Sequence, residues 1–214
     1  MLTVVNLKNN IYPLSTACSK WIVPNYLRNE GEQNSDLHIF LTGEYQSSNV
    51  FASATACVLD PRPTFGRIIL NTGLFNGRNM TPRQFSTLTS VIIHETLHIL
   101  GFQYAQYRYF IDRTTFLRTP KVKEVTKEIF GCQEAEGMQL ENVTYSVSSL
   151  SHWERTIFPN ELMQTTVLSG QVFLSKLTLA LLEDTGFYES VNYEMAYEWY
   201  INCFYWYIFG IMHV

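Results

Sequence analysis

The stretch that decides the fold is residues 81–101, which read TPRQFSTLTSVIIHETLHILG. Its beginning carries three signals of a helix N-terminus: Thr81 is a good N-cap, Pro82 suits the first helical position, and Gln84 can close a capping box. Gly101 marks the end, because glycine adopts the left-handed conformation that terminates helices. We therefore predict a helix that begins at Pro82 and ends just before Gly101.

The predicted helix, 82–100, is poor in charge. Beyond its first turn the only charged side chain is Glu95, and apolar residues lie around much of its circumference. Because such a helix gains free energy by removing apolar surface from water, we expect it to be largely buried.

The rest of the chain predicts a mixture of strands and helices. Before the main helix, short apolar or alternating runs bounded by turn residues predict strands at 37–41, 50–56 and 67–70. After it, two more helices are predicted, over 120–130 and from near 175 to just before 186. The order of elements predicts an α+β fold in which the strands precede the main helix.

Within the main helix, residues 94–98 form the pattern H-E-x-x-H. Four residues are just over one helical turn, so His94 and His98 project from the same face and can bind one metal ion. Glu95 points about 100° away from His94, within reach of a water molecule on that ion. In this pattern zinc activates the water, and the carboxylate takes its proton as the water attacks a peptide carbonyl. Because a buried carboxylate is costly without a partner or a task, we favour metal binding over a packing role.

A catalytic zinc site usually has three protein ligands and leaves the fourth position for water. The compact metzincin pattern places its third histidine three residues after the glycine, where this chain has Tyr104. The remaining histidines are His38, His152 and His213. A different class of zinc peptidase, the gluzincins, uses a downstream glutamate, and Glu124 or Glu128 on the second helix would be the candidates. The spacing alone leaves these alternatives open.

Several short matches follow the metal-binding pattern in order along the chain. They are ILGF at 99–102, SHWE at 151–154, NELM at 160–163 and LTLALLEDTGFY at 177–188. On these residues the sequence resembles leishmanolysin, the metzincin peptidase family M8, whose members interpose an extra segment between the glycine and the third zinc-binding histidine. The resemblance covers roughly residues 35 to 190.

The resemblance implies the identity of the site residues and of the cofactor. The zinc ligands would be His94, His98 and His152, the general base Glu95, and the Met-turn residue Met163. The Met-turn is an apolar floor beneath the metal-binding imidazoles. One Zn²⁺ per chain is the implied cofactor.

The resemblance also implies the fold, a zincin-like (metzincin) α+β catalytic domain with a twisted sheet and an active-site helix. Its parts would be an N-terminal catalytic subdomain (1–101) that contains the active-site helix 82–100, an inserted segment (102–150) before the third zinc ligand, and a C-terminal part (151–214) with that ligand, the Met-turn and a following helix. In the last part, Glu154 and Glu161 would be structural or solvated rather than ligands.

The function implied by the resemblance is that of a zinc-dependent metalloendopeptidase, with a zinc-activated water, Glu95 as general base, and protein or peptide substrates. The alternative is a zinc-containing cell-surface or adhesion module without catalysis, whose metal would be closed off by a fourth protein ligand. An extracellular or membrane-associated location, with contact to a membrane surface, is implied by the family alone.

Composition narrows the class of partner. The chain has 214 residues, of which 46% are hydrophobic and 16% charged, and this suits one large globular domain. A net charge of −4 without a basic block predicts no nucleic-acid partner.

The four scattered cysteines lack a C-x-x-C pattern, so they can form two disulfides but do not predict a cysteine zinc site. The sequons at Asn79 and Asn142 count as glycan sites only in a secreted chain.

Both ends differ from the family pattern. No signal peptide or pro-segment is recognisable at the start, and the apolar run 203–212 near the end is shorter than the roughly 17–25 residues of a membrane span. From the resemblance we expect a sequence truncated at both ends, with cysteines that belong to a larger disulfide set.

Overall fold

The structure is a computed structural model that describes residues 2–3, 11–12, 18, 21–59, 62–75, 79–111, 115–143, 146–166, 171–199, 201 and 203. The chain divides into two compact units, one of Val4–Leu100 and one of Gly101–Val214 together with Met1–Thr3. Helices and strands both contribute to the fold, so the predicted α+β class is confirmed.

In its described residues, the unit Val4–Leu100 combines a three-stranded sheet with two helices. After β1 (Leu2–Thr3), which belongs to the other unit, its elements are α1 (Asn25–Asn29), β2 (His38–Glu44), β3 (Ala52–Leu59), β4 (Pro63–Asn71) and α2 (Pro82–Leu100). The central strand β4 runs parallel to β2 and antiparallel to β3. The three predicted strands are therefore confirmed, with boundaries shifted by a few residues.

Helix α2 has the predicted boundaries because the signals at both its ends are local. The backbone N–H of Gln84 donates to Thr81 Oγ1 at 3.3 Å, and the Gln84 side chain accepts from the backbone N–H of Thr81 at 2.9 Å. These two bonds form the capping box, which stabilises a helix start by about 1 kcal/mol. At the other end Gly101 has a φ of +142°, which other residues rarely adopt.

The prediction that this helix is largely buried is wrong for one of its sides. Phe85 is 64% exposed and Ile93, two turns further on, is 45% exposed. The buried residues are Val91, Glu95, Leu97 and Ile99. An apolar residue is not obliged to be buried, and only the part of a helix that packs against other elements removes its side chains from water.

Helix α2 lies very near the sheet at Gly66 on β4. A Cβ atom built on Gly66 would lie 2.6 Å from Cγ2 and 2.7 Å from Cδ1 of Ile99, which is fully buried. Glycine therefore lets the second half of α2 lie directly on the central strand.

We expect Gly66→Ala to destabilise the protein by about 1–3 kcal/mol, because the added methyl group overpacks this contact. Ile99→Ala alone leaves a cavity and costs about 2–5 kcal/mol. In the double variant the two changes share the same space, so its loss should be clearly smaller than the sum. Urea unfolding of the four proteins measures this coupling, and strictly additive losses would contradict the proposed contact.

The unit Gly101–Val214 is built from short elements around two packed helices. In chain order, the elements are α3 (Tyr104–Tyr107), β5 (Phe116–Leu117), α4 (Pro120–Phe130), β6 (Met138–Gln139), α5 (Lys176–Asp184) and β7 (Ser190–Val191). Strand β5 pairs with β6, and β1 pairs with β7, both antiparallel. The two predicted helices after α2 are confirmed as α4 and α5.

Side-chain caps hold α4 and α5 in place. The Asp184 carboxylate, at the end of α5, accepts from the backbone N–H groups of Lys121 and Val122 at 2.9–3.0 Å. A carboxylate is favoured there because the first N–H groups of a helix have no partner within the helix. Helix α5 is capped by Ser175 Oγ, which accepts from the backbone N–H of Thr178 at 3.2 Å.

The four cysteines form two disulfides, each within one unit. Cys18 pairs with Cys57 and Cys132 with Cys203, at Cα–Cα distances of 5.0 and 4.9 Å. Both distances lie in the normal range for a disulfide. Each bond links segments that are far apart in sequence.

Among the helices of the described ranges, none has both the length and the apolar character needed to cross a membrane. Apart from Cys203, the apolar run at 203–212 lies outside the described residues, as does His213.

Candidate metal centre

Helix α2 brings the ring nitrogens of His94 and His98 together, as the spacing predicts. Their Nε2 atoms are 3.0 Å apart, and the rings are nearly perpendicular with centroids at 4.6 Å. At this distance one neutral ring could donate a hydrogen bond to the other. The same distance allows both nitrogens to bind one zinc ion, because each Zn–N bond is about 2.0–2.1 Å long. The donor pair therefore fits the implied metal.

Glu95, between the two histidines in sequence, has a buried carboxylate. The residue is 7% exposed, and within the described part of the chain its side chain makes no hydrogen bond or ion pair. Burial raises the pKa of Glu95 from its ordinary 4.5 to about 7. Keeping an unpaired carboxylate here costs stability, so a task other than packing is the better explanation for it.

The raised pKa predicts how the stability of metal-free protein depends on pH. The folded state holds the Glu95 proton more tightly than the unfolded chain, so this stability is fully present below about pH 4.5 and is lost as the pH rises through about 7. The loss should be roughly 3 kcal/mol, at about 1.4 kcal/mol per pKa unit. Urea unfolding with a chelator, between about pH 4 and about pH 8, should show this loss in wild type but not in Glu95→Gln. Parallel pH profiles of the two proteins would rule the effect out.

His152 lies in the other unit, where its ring is oriented by the backbone. It follows a short 3-10 turn, Ser149–Ser151, and is 9% exposed. Its Nδ1 atom is 2.6 Å from the carbonyl oxygen of Ser148. Because a carbonyl oxygen can only accept, Nδ1 carries the proton, and in the neutral ring Nε2 carries the lone pair. A hydrogen bond of this kind is typical of histidines that bind metals.

The backbone on either side of His152 is also fixed. The His152 carbonyl accepts from the N–H of Glu141 at 2.9 Å, and the next residue, Trp153, donates its N–H to the carbonyl of Met163 at 3.0 Å. Met163 is completely buried. The segment of His152, the predicted third ligand, is therefore hydrogen-bonded to Met163, the predicted Met-turn residue.

Other candidates from the sequence have structural roles. His38 lies on β2 as predicted, and its ring packs on those of Phe40 and Phe65 with centroids at 4.8 and 5.8 Å. Glu124 and Glu128 form ion pairs with Lys121 and Lys176 at 2.9 and 2.8 Å, with side chains 66% and 53% exposed. Paired, exposed carboxylates of this kind are a poor basis for the gluzincin alternative.

Glu154 and Glu161, which the sequence predicts to be structural or solvated, both accept hydrogen bonds from neighbouring groups of the protein. Glu154 accepts from the hydroxyl of Thr156 at 2.7 Å. Glu161 is 1% exposed and accepts from several donors. Two features could not be predicted from the sequence: the hydrogen bond between His152 and Ser148, and the set of donors around Glu161. No sequence motif marks either, because polar residues near a histidine or a glutamate are common.

Helix α2 thus holds two histidine Nε2 atoms 3.0 Å apart and carries a buried glutamate between these histidines in sequence, as in the H-E-x-x-H helix typical of zinc peptidases. Residues 8–201 match the family Peptidase_M8, Leishmanolysin. The chain belongs to this family, and the resemblance noted in the sequence is confirmed.

Named relatives support the same assignment. The Leishmanolysin-like peptidase of Caenorhabditis briggsae is 30% identical over 223 residues, which cover 78% of this chain and 33% of that protein. The Leishmanolysin-like peptidase of Caenorhabditis elegans is 29% identical with the same coverage of 78% and 33%. The Leishmanolysin of Leishmania major is 26% identical over 190 residues, 81% of this chain and 30% of that protein. The chain thus spans about a third of the length of these curated relatives.

Proposed function

We propose that this chain carries the active site of a zinc-dependent metalloendopeptidase that hydrolyses peptide bonds in proteins or peptides. The observation that carries the proposal is the pair of Nε2 atoms of His94 and His98, 3.0 Å apart on the same helix that carries the buried side chain of Glu95. Membership of the leishmanolysin family supports it, as do the names of the relatives, which describe them as peptidases.

The proposed ligands of a single zinc ion are His94, His98 and His152. His94 and His98 lie on α2, and His152 stands where the family pattern has its third ligand. When bound, zinc supplies Lewis-acid polarisation of a carbonyl and lowers the pKa of a water molecule. Three protein ligands fit a catalytic site better than a structural one, which is normally closed by a fourth. The non-catalytic adhesion module is therefore not favoured.

Glu95 acts as the general base in this proposal. Its carboxylate takes a proton from the attacking water and later gives it to the nitrogen of the leaving amine, which restores the ionised carboxylate. Burial of the side chain excludes bulk water from this proton transfer and strengthens the interaction with a nearby positive charge.

The finer features of the family are also part of the proposal. Met163 forms the Met-turn, which is supported by its complete burial and by its hydrogen bond with Trp153. The domain is of the metzincin type, with a catalytic subdomain over 1–101, an inserted segment over 102–150 and a C-terminal part over 151–214. This division follows the family pattern.

We place the chain outside the cell or at a membrane surface. Two disulfides support an oxidising compartment, because such bonds are rare in reducing ones. The proposed location at a membrane surface is supported only by membership of the family.

The experiment that tests the function follows cleavage of an unstructured protein by the zinc-loaded chain. Wild type and Glu95→Gln are compared at equal zinc content, so that loss of the base is separated from loss of the metal.

A further inference from the structure

A buried carboxylate outside the proposed ligand set lies at the centre of a hydrogen-bond network. Glu161 Oε1 accepts from the hydroxyls of Ser175 and Thr178 at 2.8 and 2.6 Å and from the N–H of Ser175 at 3.3 Å. Glu161 Oε2 accepts from the backbone N–H of Met163. Burial raises the pKa of this carboxyl, and the four hydrogen bonds oppose the shift.

The network reaches the segment of His152 by two routes. The hydroxyl of Thr178, which donates to Glu161, accepts from the indole Nε1–H of Trp153 at 2.9 Å. Met163, whose N–H donates to Glu161, accepts the backbone N–H of Trp153 through its carbonyl at 3.0 Å. Trp153, the residue after His152, is therefore attached to Glu161 through both its side chain and its backbone.

We propose that Glu161 is a positioning residue for the metal centre: it locks Met163 and Trp153 together and thereby fixes the direction in which His152 presents its ring. The inference rests on the proposed function, because it takes His152 as a zinc ligand. Partners one step beyond a ligand commonly set its orientation and the affinity for the metal.

A purely structural role would be limited to the start of α5. Ser175 and Thr178 belong to the N-terminal turn of that helix, so Glu161 also supports its cap. The bonds to Met163 and, through Thr178, to the Trp153 indole are not needed for a cap. These bonds connect Glu161 to the segment that contains His152, which a helix cap would not require.

The test measures zinc affinity, by competition with a chelator, and the visible spectrum of the Co²⁺-substituted protein. Glu161→Gln keeps the size of the side chain but replaces one acceptor oxygen with a donor. Thr178→Val removes only the two hydrogen bonds of the Thr178 hydroxyl, the one it donates to Glu161 and the one it accepts from the Trp153 indole. We expect both variants to bind zinc about 10–100-fold more weakly and to shift the Co²⁺ spectrum. Thr178→Ser, which keeps the hydroxyl, should restore both properties.

The matched control is Thr126→Val. Thr126 is a fully buried threonine on α4 whose hydroxyl donates to the carbonyl of Val122 at 2.6 Å, outside this network. Its loss should lower stability to urea without changing zinc affinity or the Co²⁺ spectrum.

Three results decide between the possibilities. Wild-type zinc affinity in both Glu161→Gln and Thr178→Val overturns the inference while leaving the proposed function intact. If Glu161→Gln does not fold, Thr178→Val alone decides, since it retains the carboxylate. If wild type itself binds no zinc, the proposed function fails and the inference falls with it.

Discussion

Glu95→Gln is expected to slow hydrolysis of an unstructured protein by about 10²–10⁴-fold at full zinc loading, the contribution typical of a positioned general base. Glutamine has nearly the same shape but cannot take a proton from water. The side chain is buried and makes no hydrogen bond or ion pair in the described part of the chain, so the substitution breaks no ion pair. Zinc content should remain one per chain, because Glu95 is not among the proposed ligands.

The control for this prediction is Glu128→Gln. Glu128 is an exposed glutamate of α4 that pairs with Lys176, and surface ion pairs contribute little to stability. This variant should cleave at the wild-type rate. Loss of zinc in Glu95→Gln would make Glu95 a ligand and would favour the closed, non-catalytic site.

His152→Ala should lower zinc affinity by more than about 100-fold, since removal of a ligand must cost more than the 10–100-fold typical of a partner one step beyond it. The ring is oriented by its bond to the Ser148 carbonyl, which leaves the lone pair on Nε2 for a metal ion. Chelator competition measures the affinity, and urea unfolding checks that the metal-free variant is folded.

Three controls accompany this variant. Glu124→Ala and Glu128→Ala should bind zinc like wild type, because both carboxylates are exposed and paired with lysines. His38→Ala should lose stability with no change in affinity, because its ring packs on Phe40 and Phe65. Normal zinc binding by His152→Ala together with loss in either glutamate variant would establish a gluzincin site instead.

The elements that could be predicted from sequence are those with local signals. Thr81, Gln84 and Gly101 determine the boundaries of α2 through bonds and backbone angles that involve neighbours in sequence. The start of α5 at Ser175 follows the same rule. The exposure of Phe85 and Ile93 was not predictable in this way, because it depends on which side of the helix other elements cover.

The same distinction between local and long-range signals applies to the candidate site. The approach of His94 and His98 follows from helix geometry alone, whereas His152 was selected only through the family, because Tyr104 occupies the position of the compact pattern. The Glu161 network was not predictable, because its donors at Ser175 and Thr178 are 14 and 17 residues away and meet it only after the chain has folded.

The measurement that tests the central claim most directly is the number of new amino groups released from an unstructured protein per zinc-loaded chain and unit time. We expect wild type to release them steadily, and Glu95→Gln at equal zinc content to release them about 10²–10⁴-fold more slowly. Equal rates for the two proteins would contradict the account.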